Sequence, residues 1–186
     1  MWKELSLRRR AEATILIAFG VWLALVFIVP FTLPTGSVTD LSGSVGKIDN
    51  WPTIEKMNPL AAAVYLIGDS QCHQLVERSF FLNGNQMAFC TRDLGIFIGL
   101  VAGMALAFSG RLRIGFKLSL LLLVPMALDG GAQLISSYES SNAIRLATGI
   151  IAGIGVAYLL DWFAARVLEP KGRQDLSKKG DARGSE

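Results

Sequence analysis

The chain has 186 residues, of which 52% are hydrophobic, and its mean hydropathy is +0.44. Soluble domains of this length are less apolar, so the composition excludes that class and predicts a single membrane domain. The formal net charge is only +3, and the basic residues are spread over several flanks of apolar segments without a recognition motif. This distribution argues against nucleic acid as a partner and leaves the lipid bilayer as the expected surroundings.

Four apolar segments are long enough to cross a hydrocarbon layer of about 30 Å. They cover residues 13–33, 94–110, 118–135 and 146–160. A fifth apolar run, residues 58–68, would rise only about 15 Å as a helix, so it cannot span the layer by itself. The pattern predicts an all-α, polytopic membrane helical bundle with four transmembrane helices plus one short outer-face helix.

Basic residues orient the spans, because Lys and Arg beside transmembrane helices stay in the cytoplasm. Most of the 18 Lys and Arg residues lie within 3–10, 111–117 and 166–183, which predicts a multi-pass protein of the cell membrane with both termini cytoplasmic. The first apolar run is too long for a signal core and is interpreted as an uncleaved anchor. The expected parts are a cytoplasmic flank (1–12), a membrane domain (13–165) with an extracytoplasmic loop (34–92), and a disordered basic cytoplasmic tail (166–186).

The short outer helix leads into the stretch DSQCHQLVERSF, residues 69–80, which holds the only histidine. Asn58 suits the N-cap of this helix and Pro59 its first turn. We expect the helix to continue through the stretch, so that Asp69, His73 and Glu77 share one polar face. Whether residues 59–76 dip into the bilayer or lie on its surface is left open by the sequence.

Cys72 and Cys90 are the only cysteines, and both fall on the predicted outer side. In an oxidising space they would form a disulfide that closes the intervening loop. A second interpretation is a zinc or copper site that uses Cys72, His73 and Cys90. A third makes one cysteine a reactive thiol, with His73 as its base and Asp69 or Glu77 orienting the imidazole.

Three arginines, Arg78, Arg92 and Arg145, lie at the same outer boundary, where guanidinium groups bind phosphate or carboxylate in a bidentate fork. The alternative is that they pair with nearby acids, since ionisable groups at membrane depth are costly unless partnered. Asp129 interrupts an otherwise apolar span and is a functional candidate for that reason. The amides expected to help bind a ligand are those of Gln74, Gln86 and Gln133.

Several rare polar residues recur in order inside apolar sequence: C-H-Q at 72–74, R-S-F at 78–80, G-N-Q at 84–86, C-T-R-D at 90–93 and D-G-x-x-Q at 129–133. This set resembles the domain-of-unknown-function 2085 family of predicted integral-membrane proteins, over roughly residues 58–163. The resemblance implies a polytopic membrane protein and supplies no substrate or cofactor.

These features predict a polar pocket that opens outward. It would belong to a membrane enzyme or to a binding protein for an amphiphilic or anionic ligand, such as a lipid or phosphate, with His73, Asp69 and Asp129 as catalytic candidates. The alternative is a structural or accessory subunit whose polar cluster is an internal network. Small-residue faces favour helix contacts with other subunits or self-association; their glycines are Gly95, Gly99, Gly103, Gly149 and Gly153.

Overall fold

The computed structural model describes residues 6–168, so residues 1–5 and most of the predicted cytoplasmic tail, 169–186, lie outside the described part. Within it, four helices are long and apolar enough to cross a membrane; they are Leu7–Thr32, Thr91–Ser109, Phe116–Ile135 and Asn142–Leu168. The predicted all-α bundle of four spanning helices is confirmed.

The helices and strands follow one another with short connections, apart from the stretch after the first span. In chain order the elements are α1 (Leu7–Ile28, continued by a 3-10 turn, Val29–Thr32), α2 (Trp51–Ile54), α3 (Pro59–Gln71), β1 (Ser79–Leu82), β2 (Asn85–Cys90), α4 (Thr91–Ser109), α5 (Phe116–Leu121), α6 (Val124–Ile135) and α7 (Asn142–Leu168).

The third span consists of two helices, α5 and α6, that meet at residues 122 and 123. Pro125 lies in the first turn of α6. It has no N–H to donate, and its ring would clash with the carbonyl of residue 121, so a continuous helix through this point is unfavourable. The two helices together are still long enough to cross the layer, and α6 carries Asp129 and Gln133.

α4 and α7 form the closest helix pair, and their glycines make the contact. A Cβ atom on Gly99 would collide with the carbonyl oxygen of Ile150, and one on Gly153 with that of Ile96. Small residues let two backbones approach this closely in a membrane. The predicted small-residue faces are therefore buried against each other within the chain, where they are not a surface for another subunit.

The predicted loop 34–92 is largely folded. α3 begins at Pro59, and Asn58 caps it by accepting a hydrogen bond from the Ala61 N–H at 3.0 Å, as expected. β1 and β2 form an antiparallel hairpin that the sequence analysis did not anticipate. Its turn residues, Asn83 and Gly84, have φ angles of +54° and +71°, the combination that a two-residue type I′ hairpin turn requires.

An aromatic cluster holds the hairpin on the membrane helices. The rings of Trp22 on α1, Phe89 on β2 and Phe97 on α4 meet edge to face, with centroids 5.1 to 6.1 Å apart. Tyr65 of α3 is fully buried, and its hydroxyl donates to the Gln86 carbonyl at 2.6 Å. The hairpin end of the bundle, meaning the end that carries α2, α3, β1 and β2, is therefore a packed unit.

The expectation that one helix carries Asp69, His73 and Glu77 on a common face is wrong. α3 ends at Gln71, Cys72 has extended backbone angles, and Gln74 has a φ of +46°. The side chain of Gln74 donates to the Ala88 carbonyl at 2.7 Å, and this buried bond to the hairpin requires the chain to leave the helix. Asp69 consequently lies inside the fold, whereas His73 and Glu77 are exposed.

Candidate functional site

A small cavity of about 50 Å³ lies at the hairpin end of the bundle. The residues around it come from the segment after α3, the end of β2, the first turn of α4 and the first turn of α7. Apart from one leucine, all of them carry a guanidinium, an imidazole or a thiol; the lining is Cys72, His73, Leu75, Arg78, Cys90, Arg92 and Arg145.

Arg92 forms an ion pair with Asp129, which joins α4 to α6. Asp129 is only 8% exposed, and its carboxylate also accepts from the Tyr138 hydroxyl at 3.3 Å and from the Gln133 amide at 3.3 Å. The carboxylate is fully engaged in these contacts. It therefore acts as the counter-ion that places the Arg92 side chain beside the cavity.

Arg145 is 4% exposed and hydrogen-bonds to neutral groups, the side-chain oxygens of Asn142 and Gln133, each at 3.3 Å. Among residues 6–168 no carboxylate lies within ion-pair distance of its guanidinium. Burying a charge without an ionic partner is costly. The cavity therefore contains a cation whose charge this part of the chain does not neutralise by direct contact.

Arg78 has acidic partners only at the limit of ion-pair distance. Its guanidinium lies 3.9 Å from Glu77 and 3.8 Å from Glu139, and both of these side chains are mostly exposed. The Nε atoms of Arg78 and Arg92 are buried and donate no hydrogen bond to any group in the described part of the chain. A buried donor without a partner is unfavourable, so both arginines retain unused capacity to bind an anion.

The two cysteines are free, and their sulfur atoms are 3.5 Å apart. A disulfide needs sulfur atoms about 2.05 Å apart, so the predicted Cys72–Cys90 bond is not formed and that prediction is wrong. Instead the Cys90 N–H donates to the Cys72 sulfur at 3.3 Å, and the Cys90 sulfur lies 3.3 Å from a carboxylate oxygen of Asp93. Two sulfur atoms and one carboxylate thus meet at the cavity wall.

Each of the two thiols shifts the pKa of the other. The hydrogen bond with Cys90 and then burial raise the pKa of Cys72 above its ordinary value, and the same hydrogen bond lowers the pKa of Cys90. Both shifts have the same main cause, the contact between the two cysteine side chains.

Asp69 is part of a separate, internal network. It is fully buried, and its two carboxylate oxygens accept from Asn50, one from the backbone N–H at 3.0 Å and the other from the side-chain amide at 2.6 Å. The same amide donates to Gln74 at 3.0 Å. Asp69 does not line the cavity. Its carboxylate oxygens instead hold Asn50, at the end of the loop before α2.

Gln74 and Gln86 belong to that network as well. The Gln86 amide donates to the Gln74 carbonyl at 2.6 Å, and its oxygen accepts from the Leu41 N–H at 2.9 Å. Both side chains are fully buried. They fix the position of Cys72 relative to β2 and do not face the cavity. The structure thus brings together Cys72, His73, Cys90 and the three arginines, with Asp129 and Gln133 behind them.

Sequence reasoning overlooked four residues that support the site. Asn50 hydrogen-bonds to Asp69, and Tyr138 hydrogen-bonds to Asp129. Asn142 hydrogen-bonds to Arg145, and Asp93 contacts Cys90. Asp93 and Asn142 gave a usable signal, since each lies three residues from its partner, Cys90 or Arg145, and such positions face each other in a helical turn. The contacts of Asn50 with Asp69 and of Tyr138 with Asp129 join residues that are 19 and 9 positions apart.

A larger cavity, of about 410 Å³, lies at the opposite end of the bundle. Its charged groups largely neutralise one another: Arg8 donates to both carboxylate oxygens of Asp161, at 2.9 and 3.0 Å, and to Glu12 at 2.7 Å. These contacts tie the first span to the last. The smaller cavity has the more unusual chemistry because Arg145 is buried there with no carboxylate of the described residues within ion-pair distance.

Four apolar helices with a polar cap at one end define a multi-pass membrane protein. Residues 72–159 match the model of a family described as "Predicted membrane protein (DUF2085)", and this chain belongs to that family, as its motifs indicated. An uncharacterized protein of Methanocaldococcus jannaschii is 31% identical over 151 residues, which are 78% of this chain and 87% of that protein. An uncharacterized protein of Methanothermobacter thermautotrophicus is 37% identical over 91 residues, 47% of this chain and 82% of that protein. No solved structure matches the chain.

Proposed function

We propose that this membrane protein binds a phosphate-bearing or similarly anionic ligand in the cavity at the hairpin end of the bundle. One observation carries the proposal. Three guanidinium groups, from Arg78, Arg92 and Arg145, line the same cavity, and only one of them has a close, buried carboxylate partner. Guanidinium groups match the geometry of phosphate oxygens and bind them in a bidentate fork.

The size of the cavity narrows the ligand class. A single water needs about 10–15 Å³ of such space, so a cavity of about 50 Å³ holds a group the size of a few waters. That suits one tetrahedral anion and is too small for a whole amphiphile. The anion is either free in solution or is the headgroup of a lipid whose chains stay in the bilayer; the chemistry that binds it is the same.

The side of the membrane is part of the proposal. The Arg8–Asp161 contact places the start of the first span beside the end of the last, so both ends of the membrane domain lie opposite the anion cavity. Basic residues concentrate at that end, where Arg9 donates to the Phe108 carbonyl and Arg113 lines the larger cavity. The positive-inside rule then assigns this end to the cytoplasm and the anion cavity to the outer face of the cell membrane.

The test is a binding measurement on the full chain purified in detergent, with inorganic phosphate and with a short-chain phosphatidic acid as probes. We expect Arg78→Gln and Arg145→Gln each to weaken binding by about tenfold or more, since each removes a charge-assisted hydrogen bond. Arg111→Gln is the matched control, because Arg111 is exposed at the opposite end. Preference for the lipid over phosphate identifies a headgroup site. Absence of binding by both probes, or equal loss in the control, would refute the proposal.

One observation favours the competing class, an accessory subunit with a purely structural polar cap. The Asp69, Gln74 and Gln86 side chains are all satisfied inside the fold. An accessory subunit should aggregate in detergent without its partner, and neither probe should stabilise it. Catalytic roles for His73, Asp69 and Asp129 stay predictions; of the three, only His73 lines the cavity.

A further inference from the structure

We propose that Cys72, Cys90 and Asp93 bind a divalent metal ion, with zinc as the best fit, in the wall of the same cavity. The sequence suggested a set made of Cys72, His73 and Cys90, whereas the geometry favours the carboxylate of Asp93 as the third ligand. The proposal stands independently of the anion proposal, because it rests on three other side chains and on their separations.

The separations fit a tetrahedral centre. The two sulfur atoms and a carboxylate oxygen of Asp93 all lie within 4.8 Å of one another. The cysteine pair is 3.5 Å apart, and the Cys90 sulfur is 3.3 Å from the Asp93 oxygen. Ligands at about 2.3 Å for sulfur and about 2.0 Å for oxygen, set at tetrahedral angles, lie roughly 3.8 Å and 3.5 Å apart. These two separations therefore differ from the tetrahedral values by only about 0.2 to 0.3 Å.

The backbone already holds these groups in place. Cys72 directly follows α3, Cys90 ends β2, and Asp93 lies in the first turn of α4. The Cys90 N–H donates to the Cys72 sulfur at 3.3 Å. Hydrogen bonds to ligand atoms of this kind orient them and are a regular feature of metal sites. Little conformational entropy remains to be lost when an ion binds, because three packed elements fix the ligands.

The charges nearby also suit such a centre. Two thiolates and one carboxylate around a divalent ion carry one net negative charge, and Arg145, buried without a carboxylate partner in the described chain, lines the same cavity. Thiolate ligands disfavour magnesium and calcium, which prefer oxygen. The carboxylate oxygen disfavours copper(I), which prefers sulfur, and so the mixed set points to zinc.

A tetrahedral ion needs a fourth ligand. His73 lines the cavity beside the two cysteines and has the imidazole that zinc accepts, and water is the other candidate. The His73→Ala variant separates the two. If water is the ligand, the variant keeps its zinc; if the imidazole is the ligand, the variant loses affinity but less than the cysteine variants. Both results are compatible with the three-ligand core.

The experiment uses the full chain, purified in detergent with reductant, stripped with a chelator and then loaded with zinc. We expect about one zinc per chain after removal of excess metal, and thiolate-to-metal charge-transfer absorption when cobalt replaces zinc. Cys72→Ser and Cys90→Ser should abolish both signals, and Asp93→Asn should weaken zinc retention. Glu77→Gln is the matched control, since it removes a nearby exposed acid that is not in the cluster, and it should retain zinc fully.

A second measurement needs no variant and does not depend on how the substituted chains fold. In the reduced wild-type protein, zinc should protect Cys90, the less buried of the two cysteines, from a small alkylating agent, and a chelator should restore its reactivity. The proposal is overturned if the reduced protein binds no zinc while both thiols remain titratable. It is equally overturned if the cysteine variants keep zinc at the wild-type level.

Discussion

Gly99 of α4 and Gly153 of α7 face each other at a contact where a Cβ atom on either residue would lie 2.9 Å from the other's Cα. The contact is close enough that each added Cβ would also meet a carbonyl oxygen of the facing helix. Since backbone cannot move aside as a flexible side chain can, the two helices would have to separate. The position of α7, and with it of Arg145 in the cavity, depends on this contact.

Replacing Gly99 with alanine should therefore destabilise the bundle by about 2 kcal/mol, the range typical of overpacking. The measurement is the thermal unfolding midpoint in detergent. Gly20→Ala is the matched control, because a Cβ atom there meets nothing within 4 Å and α1 should gain helix propensity. A Gly99→Ala protein as stable as the Gly20→Ala protein would contradict the described packing.

Asp129→Asn should destabilise the protein by about 3 kcal/mol, because it leaves the Arg92 guanidinium at the cavity without its counter-ion. The amide can still accept from Tyr138, so the loss reports mainly on the charge. Asp40→Asn is the control, since Asp40 is exposed. Replacing both members of the pair, with Arg92→Met and Asp129→Leu together, should recover part of the stability. Failure of the double variant to recover any would show that the pair is not energetically coupled.

The stability of the protein should also depend on the internal hydrogen-bond network around Asp69. Asp69→Asn places an NH₂ group against either the side-chain amide or the backbone N–H of Asn50, so two buried donors face each other, at a cost of about 2 kcal/mol. Because the same network holds Gln74, two residues after Cys72, the substitution should also speed alkylation of Cys72. Glu55→Gln, at an exposed position, should change neither the unfolding midpoint nor the alkylation rate. An unchanged Asp69→Asn protein would mean that the carboxylate is dispensable.

The membrane spans were predictable because their signal is long and one-dimensional. Some 20 apolar residues indicate a spanning helix whatever surrounds them. The hairpin end of the bundle was harder to predict, because its structure depends on contacts between residues that are distant in the sequence. The sequence after Asp69 is compatible with a helix, and only the buried bond from Gln74 to the hairpin shows why the helix stops. The Asn83-Gly84 pair did carry a hairpin signal, but the sequence analysis drew no strands from it.

The candidate functional site was also only partly predictable from the sequence. The residue types at Arg78, Arg92 and Arg145 predicted an anion site, and the structure places all three around one cavity. Sequence spacing could not decide between a disulfide and free thiols, because that depends on the approach of two segments eighteen positions apart. Nor could it show that Asp69 would be enclosed by Asn50, a residue from the preceding loop.

Membrane orientation can be tested with single cysteines introduced at exposed positions on either side of the bundle. Val45 lies in the segment before α2, at the hairpin end, and Arg111 lies after α4, at the opposite end; both are exposed. If the cavity opens outward, a membrane-impermeant maleimide added to intact cells should label Val45→Cys above the parent chain and leave Arg111→Cys at the parent level. After the membrane is permeabilised, both should label. The reverse pattern in intact cells would place the arginine cavity in the cytoplasm, and its anion would then have to come from the cytoplasmic side.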